Sequence, residues 1–303
     1  MRAFVLVVPS HEAELAADRL FGLGVAAVEE RSSDVDGHVE LWTEVGDSAA
    51  AIDVAVAALD DRWTWRTTVL VESVADTWRQ HAAPITVADG VLIVPTWLAG
   101  TVDTGTCIPI LIDPGAAFGL GDHPTTQLTL RALLGELASR SRPTSVLDVG
   151  CGSGILAIAA AQRGANPVVG IDISTAAVEA TEANARVNGV ARIVDASTTP
   201  LADVAGEFDV VLANVLAPAL IDLAADLRRV VATGGVLVVS GILADRHEHV
   251  LEALTPLRPV ASATADGWAA VTLEMRAEVW PLAASGLVSP APQARSRSNG
   301  PLT

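Results

Sequence analysis

Three glycines recur at alternate positions in the stretch VLDVGCGSGI, directly after an apolar run that predicts a buried strand. Gly150, Gly152 and Gly154 add no side chain to a core, so they favour either a tight turn or a loop whose backbone a ligand can approach closely. Ile155 stands where a dinucleotide fingerprint has Gly or Ala. The spacing therefore favours S-adenosylmethionine over NAD, with backbone amides of the following helix facing a carboxylate. The alternative, that these glycines form a tight turn that binds no ligand, remains possible on this motif alone.

Polar side chains also end the strands that follow this loop. Asp172 in GIDIS ends the next predicted strand, where a carboxylate can accept hydrogen bonds from both hydroxyls of a ribose. Alternatively, Asp172 caps the helix that begins near Thr175, a role that Ser174 could fill instead. Asp195 is a weaker candidate for an adenine contact, or a turn residue. Asn214 ends an apolar strand, where its neutral amide could orient an incoming nitrogen or merely cap a turn.

A second glycine-rich stretch, DPGAAFGLGDHPTTQLTL at residues 113 to 130, predicts a loop that leads into a helix. Such a loop could fold over a bound cofactor and exclude water. His123 lies where the loop meets the helix, as either a titrating group or a structural one. Cys107 and Cys151 are too few and too far apart to indicate a disulfide framework or a cysteine metal site. We expect Cys151 to fill space as a small side chain, and we predict no metal site.

The elements that must position these residues follow two different patterns. The N-terminal pattern is strand-helix-strand-strand-helix-strand, the order of a ferredoxin-like α+β domain. From Ser145 onward strands and helices alternate, which predicts a doubly wound, Rossmann-like α/β sheet with its ligand at the carboxyl ends of the strands. Asp266 and Gly267 predict a final hairpin that adds an antiparallel strand. The expected divisions are a ferredoxin-like domain at 1–72, a connector at 73–110, a cofactor domain at 111–283 and a disordered tail at 284–303.

Charge and hydropathy limit the kinds of partner. The chain has 19 basic and 36 acidic residues and a formal net charge of -17, a poor match for a surface that must neutralise phosphates. We therefore expect no direct binding to nucleic acid. The electrostatic field of this negative charge would speed the encounter with a basic protein, although the charge could also serve only to keep the protein soluble. The first apolar stretch ends at Pro9 and is too short for a signal peptide or a membrane span, so a cytoplasmic protein is expected.

Several motifs together resemble one family. Residues 113 to 130, with GCGSGILAIAA, GIDIS, NVLA and VSGIL in this order and spacing, are similar to the bacterial methyltransferases of ribosomal protein L11. The likeness extends over roughly residues 1 to 280 and includes TWRQHAAPITVADGVLIVPTW in the connector. It implies an enzyme that uses S-adenosylmethionine to methylate lysine side chains and the N-terminal amine of that protein. It also implies that the ferredoxin-like domain holds the protein substrate and that the connector lets the two domains reorient.

The resemblance implies cofactor contacts from Thr126, the glycine loop, Asp172 and Asn214. Of these, we expect Asn214 to be the catalytic residue, because it could align the acceptor amine. That amine must be neutral to react, and desolvation beside a sulfonium favours its neutral form, so no dedicated base is required. Proximity would then supply most of the acceleration.

The sequence departs from the family's loop pattern G-T-G-x-H-x-T-T, because Leu120 replaces the threonine and Asp122 fills the variable place. These departures leave open a protein that binds the cofactor without catalysis. A methyltransferase that acts on the lysines of another protein also remains open. An NAD-dependent oxidoreductase is disfavoured, since the chain contains no Tyr for a catalytic pair and carries Ile155 after its glycines.

Overall fold

The computed structural model describes most of the chain between residues 2 and 275. The described residues are 2–23, 25, 28–43, 45, 48–69, 82–87, 90–113, 121–141 and 143–275. The predicted tail at 284–303 lies outside them, as does most of the loop before His123, including Leu120.

The N-terminal residues form the predicted order of strands and helices. The elements are β1 (Arg2–Pro9), α1 (Ala13–Gly22), β2 (Val28–Ser32), β3 (His38–Thr43), α2 (Ala49–Ala57) and β4 (Thr64–Val69). The four strands make an antiparallel sheet in the order β2-β3-β1-β4. Phe4, Leu6 and Leu41 alternate along their strands and share one buried core with residues of both helices. This arrangement confirms the ferredoxin-like fold.

The C-terminal part forms a larger, mostly parallel sheet. Its elements are α3 (Pro124–Ser139), β8 (Val146–Val149), α4 (Ile155–Gln162), β9 (Val168–Ile171), α5 (Thr175–Val187), β10 (Val194–Ser197), β11 (Phe208–Asn214), α6 (Ala217–Asp222), α7 (Ala224–Val230), β12 (Val231–Leu243), α8 (Glu248–Ala253), β13 (Arg258–Ala265) and β14 (Trp268–Glu274). The seven strands follow the order β10-β9-β8-β11-β12-β14-β13. The first five are parallel, whereas β14 runs antiparallel to β12 and to β13. The predicted hairpin is confirmed, with φ of 49° at Asp266 and 82° at Gly267.

A third, three-stranded sheet precedes the large one in the chain. It contains β5 (Ile85–Val87), β6 (Val91–Pro95) and β7 (Ile108–Ile112), with β6 parallel to β7 and β5 antiparallel to β6. Ile93 and Ile110 are fully buried in the same core as residues of α3 and α4. The described part of the predicted connector is therefore packed against the large sheet. The boundaries at 72, 110 and 283 stay proposals.

The order of the parallel strands fixes where a ligand can enter. From β8 the chain adds β9 and β10 on one side, and then returns to place β11 and β12 on the other. In such sheets the crevice lies outside the carboxyl ends of the strands where the order reverses, which here is between β8 and β11. Both faces of β8 and β11 are buried, which explains their nearly continuous apolar sequences. Among the described helices, none is both long and apolar enough to cross a membrane.

Candidate active site

The glycine-rich loop connects β8 to α4 and lies against the end of β9. The amides of Gly150 and Cys151 both donate to the carbonyl of Ile171, at 2.8 and 3.0 Å. Gly154 precedes the first residue of α4 with φ of 80°, a conformation that favours glycine. A Cβ at Gly154 would also lie 2.8 Å from the Thr181 side chain and 3.0 Å from its Cα. Glycine is thus required here both by conformation and by space.

Asp172 follows β9 and points its carboxylate at this loop. Its Oδ2 accepts from the Gly152 amide at 3.0 Å, and its Oδ1 accepts from the Ser174 amide at 2.9 Å. The cap of α5 is Ser174, whose Oγ accepts from the Ala177 amide. The competing role of Asp172 as helix cap is therefore filled by its neighbour. Each carboxylate oxygen of Asp172 still has capacity to accept from a further donor.

Asn214 and Thr126 meet on the other side of the crevice. Asn214 is the last residue of β11, and its Nδ2 donates to the Oγ1 of Thr126 at 3.5 Å. Thr126 lies in the first turn of α3 and is 3% exposed. The fold therefore brings together two residues that are 88 positions apart in the sequence.

His123 acts as the N-cap of α3. Its Nδ1 accepts from the Thr125 amide at 3.3 Å and lies 2.7 Å from the Thr125 hydroxyl. Its ring also meets the ring of Trp268 edge to face, with 5.2 Å between centroids. These contacts fit the interpretation of His123 as a structural residue rather than a titrating one. Asp122 is exposed, and its carbonyl accepts from the Gln127 side chain.

Asp195 is placed less favourably than the other candidates. It lies exposed within β10 rather than in a turn, two residues before the carboxyl end of that strand at Ser197. The carbonyl of Ser197, not the side chain of Asp195, accepts from the Asp172 amide, at 3.2 Å. Asp195 thus takes no part in the hydrogen bonds that fix Asp172.

The sequence analysis missed a buried acid next to the loop. Asp148 is fully buried in β8, and its Oδ2 accepts from the Ala157 amide at 3.2 Å, whereas its Oδ1 has no partner among the described residues. Burial raises the pKa of Asp148 to about 7, and the negative charge of Asp172 adds to the rise. In the sequence, Asp148 could have been found as the one acidic residue of the otherwise apolar strand VLDV. Burial likewise raises the pKa of the Cys151 thiol to about 12, in keeping with a packing role.

Two buried polar residues of α5 were also missed, although both contact the glycine-rich loop. Thr181 donates from its hydroxyl to the Gly152 carbonyl at 3.0 Å, and Asn184 donates from Nδ2 to the Ser153 carbonyl at 2.9 Å. Threonine and asparagine three positions apart in a helix give no sign in the sequence that they face inward. Their burial depends on where α5 packs.

The chemistry of this edge fits S-adenosylmethionine. Asp172 offers a carboxylate to ribose hydroxyls, and the adjacent Ile173 is 97% exposed, an apolar surface against which a planar base could lie. Asp148 offers a buried acceptor oxygen without a partner in the described structure. Within the residues described, no group of three or more His, Cys, Asp or Glu side chains could hold a metal ion.

A glycine-rich loop, a strand-end carboxylate and a strand-end amide around the switch point of a parallel sheet define a methyltransferase of the S-adenosylmethionine-dependent class. The sequence profile of the ribosomal protein L11 methyltransferases (PrmA) matches residues 7–276. The chain therefore belongs to this family.

Individual relatives agree with the profile. The ribosomal protein L11 methyltransferase of Geobacter metallireducens is 48% identical over 188 residues, which is 61% of this chain and 60% of that protein. The protein of the same name from Geobacter sulfurreducens is 43% identical over 229 residues, or 75% of this chain and 73% of that one. The match thus covers less than two thirds of the first relative's length.

A solved structure agrees with the fold. The crystal structure of a ribosomal protein L11 methylase from Lactobacillus delbrueckii subsp. bulgaricus is 35% identical, with a TM-score of 0.58. It aligns over 65% of this chain and over 100% of its own chain.

Proposed function

We propose that this chain transfers methyl groups from S-adenosylmethionine to amines of ribosomal protein L11, both on lysine side chains and at the N-terminus. The observation that carries the proposal is the hydrogen bond between Asp172 and Gly152, which joins the strand-end carboxylate to the glycine-rich loop. Membership of the L11 methyltransferase family supports the same assignment. Cytoplasmic localisation, where ribosomal proteins are found, is part of the proposal.

This geometry supports a set of residues that would hold the cofactor. When bound, S-adenosylmethionine supplies an electrophilic methyl group on a cationic sulfur. Asp172 accepts hydrogen bonds from the ribose hydroxyls, and the backbone of Gly150, Gly152 and Gly154 lies against the methionine part. Thr126, in the first turn of α3, supplies a further contact to the cofactor.

Asn214 orients the acceptor amine. Because its Nδ2 donates to Thr126, its Oδ1 remains to accept a hydrogen bond from the incoming nitrogen. A free lysine amine is almost wholly protonated at neutral pH, so the site must favour the neutral form by removing water from around it. An amide suits this task, since it aligns the nitrogen without adding a negative charge that would stabilise ammonium. The alignment of the acceptor nitrogen then lowers the activation barrier for methyl transfer.

Recognition of the protein substrate is assigned to the ferredoxin-like domain at residues 1–72. The connector at 73–110 allows the two domains to reorient, and its strands β5, β6 and β7 move together with the large sheet, because they share its core. The net charge of -17 favours a basic partner and disfavours direct binding of nucleic acid. No membrane partner is proposed.

The test is methyl transfer from radiolabelled S-adenosylmethionine to purified L11, followed by mass spectrometry of the labelled peptides. The proposal predicts label on lysine and N-terminal amines with wild type and strongly reduced label with Asn214→Ala. Cofactor binding without transfer to any protein of a ribosomal extract would identify a non-catalytic adaptor. Label on a different protein of that extract would keep the chemistry and change the substrate.

A further inference from the structure

Asn184 of α5 and Asn188, the residue that directly follows α5, bind the edge of β7 in the manner of a neighbouring strand. Asn188 accepts from the Leu111 amide at 2.9 Å and donates to the Leu111 carbonyl at 2.7 Å. One helical turn away, Asn184 accepts from the Asp113 amide at 3.0 Å and donates to the Asp113 carbonyl at 2.8 Å. Alternate residues of a strand present their backbone groups to the same side, so the two amides satisfy one edge.

The two asparagines differ in the second hydrogen bond that each side-chain nitrogen donates. Asn188 donates to the Asn184 carbonyl at 2.8 Å, in the last turn of α5. Asn184 instead donates to the Ser153 carbonyl at 2.9 Å, in the glycine-rich loop. Of the pair, only Asn184 therefore links the end of β7 to that loop.

We propose that Asn184 is a positioning residue of the cofactor site, an inference that rests on the function proposed above. The side-chain amide of Asn184 binds both Asp113, which follows β7, and Ser153 in the glycine-rich loop, and it therefore fixes the distance between them. Asn184 is 2% exposed and Ser153 is 1% exposed, so water cannot easily replace a lost hydrogen bond. Movement of Ser153 would displace Gly152 and Gly154, whose backbone lies on either side of it.

The chemistry of the position requires an amide. Two carbonyls must receive donors while one amide must find an acceptor, and the neutral asparagine side chain supplies both. A carboxylate of the same shape would keep the hydrogen bond from Asp113 but would face two carbonyl oxygens with lone pairs. Asn184→Asp therefore removes the link to Ser153 with little change in volume.

Asn188→Asp is the matched control. It keeps the hydrogen bonds that Asn188 accepts from the Leu111 amide and from the Gln162 side chain, and it loses two donated ones. Neither of the lost hydrogen bonds reaches the glycine-rich loop. The experiment measures the Kd of S-adenosylhomocysteine by calorimetry and the midpoint of unfolding for the full chain and both variants. We expect similar losses in unfolding midpoint, with Kd raised at least tenfold in Asn184→Asp and less than threefold in Asn188→Asp.

Equal changes in Kd for the two variants, with wild type binding normally, would overturn the inference alone. Failure of the wild type to bind the ligand would overturn the proposed function and the inference with it. If Asn184→Asp does not fold, Asn184→Ser keeps one hydroxyl donor, and the expected rise in Kd is then smaller but still exceeds that of Asn188→Ser. An unchanged Kd in Asn184→Ser would contradict the inference.

Discussion

Carboxyl groups of the N-terminal sheet and of the seven-stranded sheet sit in opposite environments. In the N-terminal domain, hydrogen bonds from Arg62 lower the pKa of the partly exposed Asp60 to about 2, and Arg66 likewise lowers the pKa of Glu40. In the large sheet, burial raises the pKa of Asp148 to about 7. The first environment stabilises a charge at the surface, whereas the second disfavours a charge beside the glycine-rich loop.

The burial of the hydrogen-bonded side chains differs in the same way. In the N-terminal sheet Arg31 binds Glu29, a neighbour two residues away, and both side chains are partly exposed. Around the site, Thr181 and Asn184 reach the glycine-rich loop from 29 and 31 residues away. The polar groups that shape the site are thus buried, whereas ion pairs of the N-terminal domain such as Arg31–Glu29 are partly exposed and contribute little to stability. Substitutions in the two regions should therefore differ in cost.

The largest expected effect is on the glycine-rich loop. Gly154→Ala combines a left-handed backbone with a Cβ only 2.8 Å from Thr181, so we expect it to lower the free energy of unfolding by about 3 kcal/mol. Gly206→Ala has a similar φ of 84° with nothing within 4 Å, and should cost only about 1 kcal/mol. Urea denaturation of both variants compares them. Equal costs would show that the contact with Thr181 is unimportant.

The next effect concerns catalysis. Asn214→Ala should lower kcat for methyl transfer about 100-fold, because a misaligned nitrogen loses most of the benefit of positioning. The unfolding midpoint should change little, since Asn214 lies at the partly exposed end of its strand. Steady-state kinetics with L11 as substrate provide the measurement. A kcat equal to that of wild type would remove Asn214 from the mechanism.

The third prediction separates the two kinds of carboxyl group by pH. The folded protein holds a proton on Asp148 up to about pH 7, whereas the unfolded chain releases it near the ordinary value of 3.8. The contribution of Asp148 to stability therefore falls as pH rises between these values, by up to about 1.4 kcal/mol per pH unit, and is level above pH 7. Asp60 behaves oppositely. Because its pKa is lowered in the folded protein, its contribution to stability is present at neutral pH and is lost only as the pH falls toward 2. Asp148→Asn should remove the slope between pH 4 and 7 in denaturation experiments, and an unchanged slope would assign it to other groups.

The smallest effect is expected in the N-terminal sheet. Arg31 packs its guanidinium 4.1 Å from the centre of the Trp42 ring and pairs with Glu29, but its side chain is 37% exposed. Arg31→Gln should lower the free energy of unfolding by less than about 1 kcal/mol and leave cofactor affinity unchanged. Denaturation at low and high salt checks this. A loss comparable to that of Gly154→Ala would erase the contrast between the two regions.

Much of this fold is predictable because it follows local patterns. The alternation of apolar strands and helices, the Asp-Gly hairpin and the acid at the end of β9 each depend on residues close together in the sequence. The burial of Asp148, the role of Asn184 and the contact of Asn214 with Thr126 depend on distant elements. No local pattern marks an asparagine of a helix as a partner for a strand more than 70 residues earlier.

The most direct test of the central claim is titration of S-adenosylmethionine into wild type and Asp172→Ala. Removing the carboxylate deletes the hydrogen bond that it accepts from the Gly152 amide and the two that we propose it accepts from the ribose hydroxyls, so we predict a Kd raised about 100-fold or more. The exposed Asp203→Ala, which makes the same change in charge away from the loop, should bind like wild type. An Asp172→Ala variant with the affinity of wild type would contradict the account.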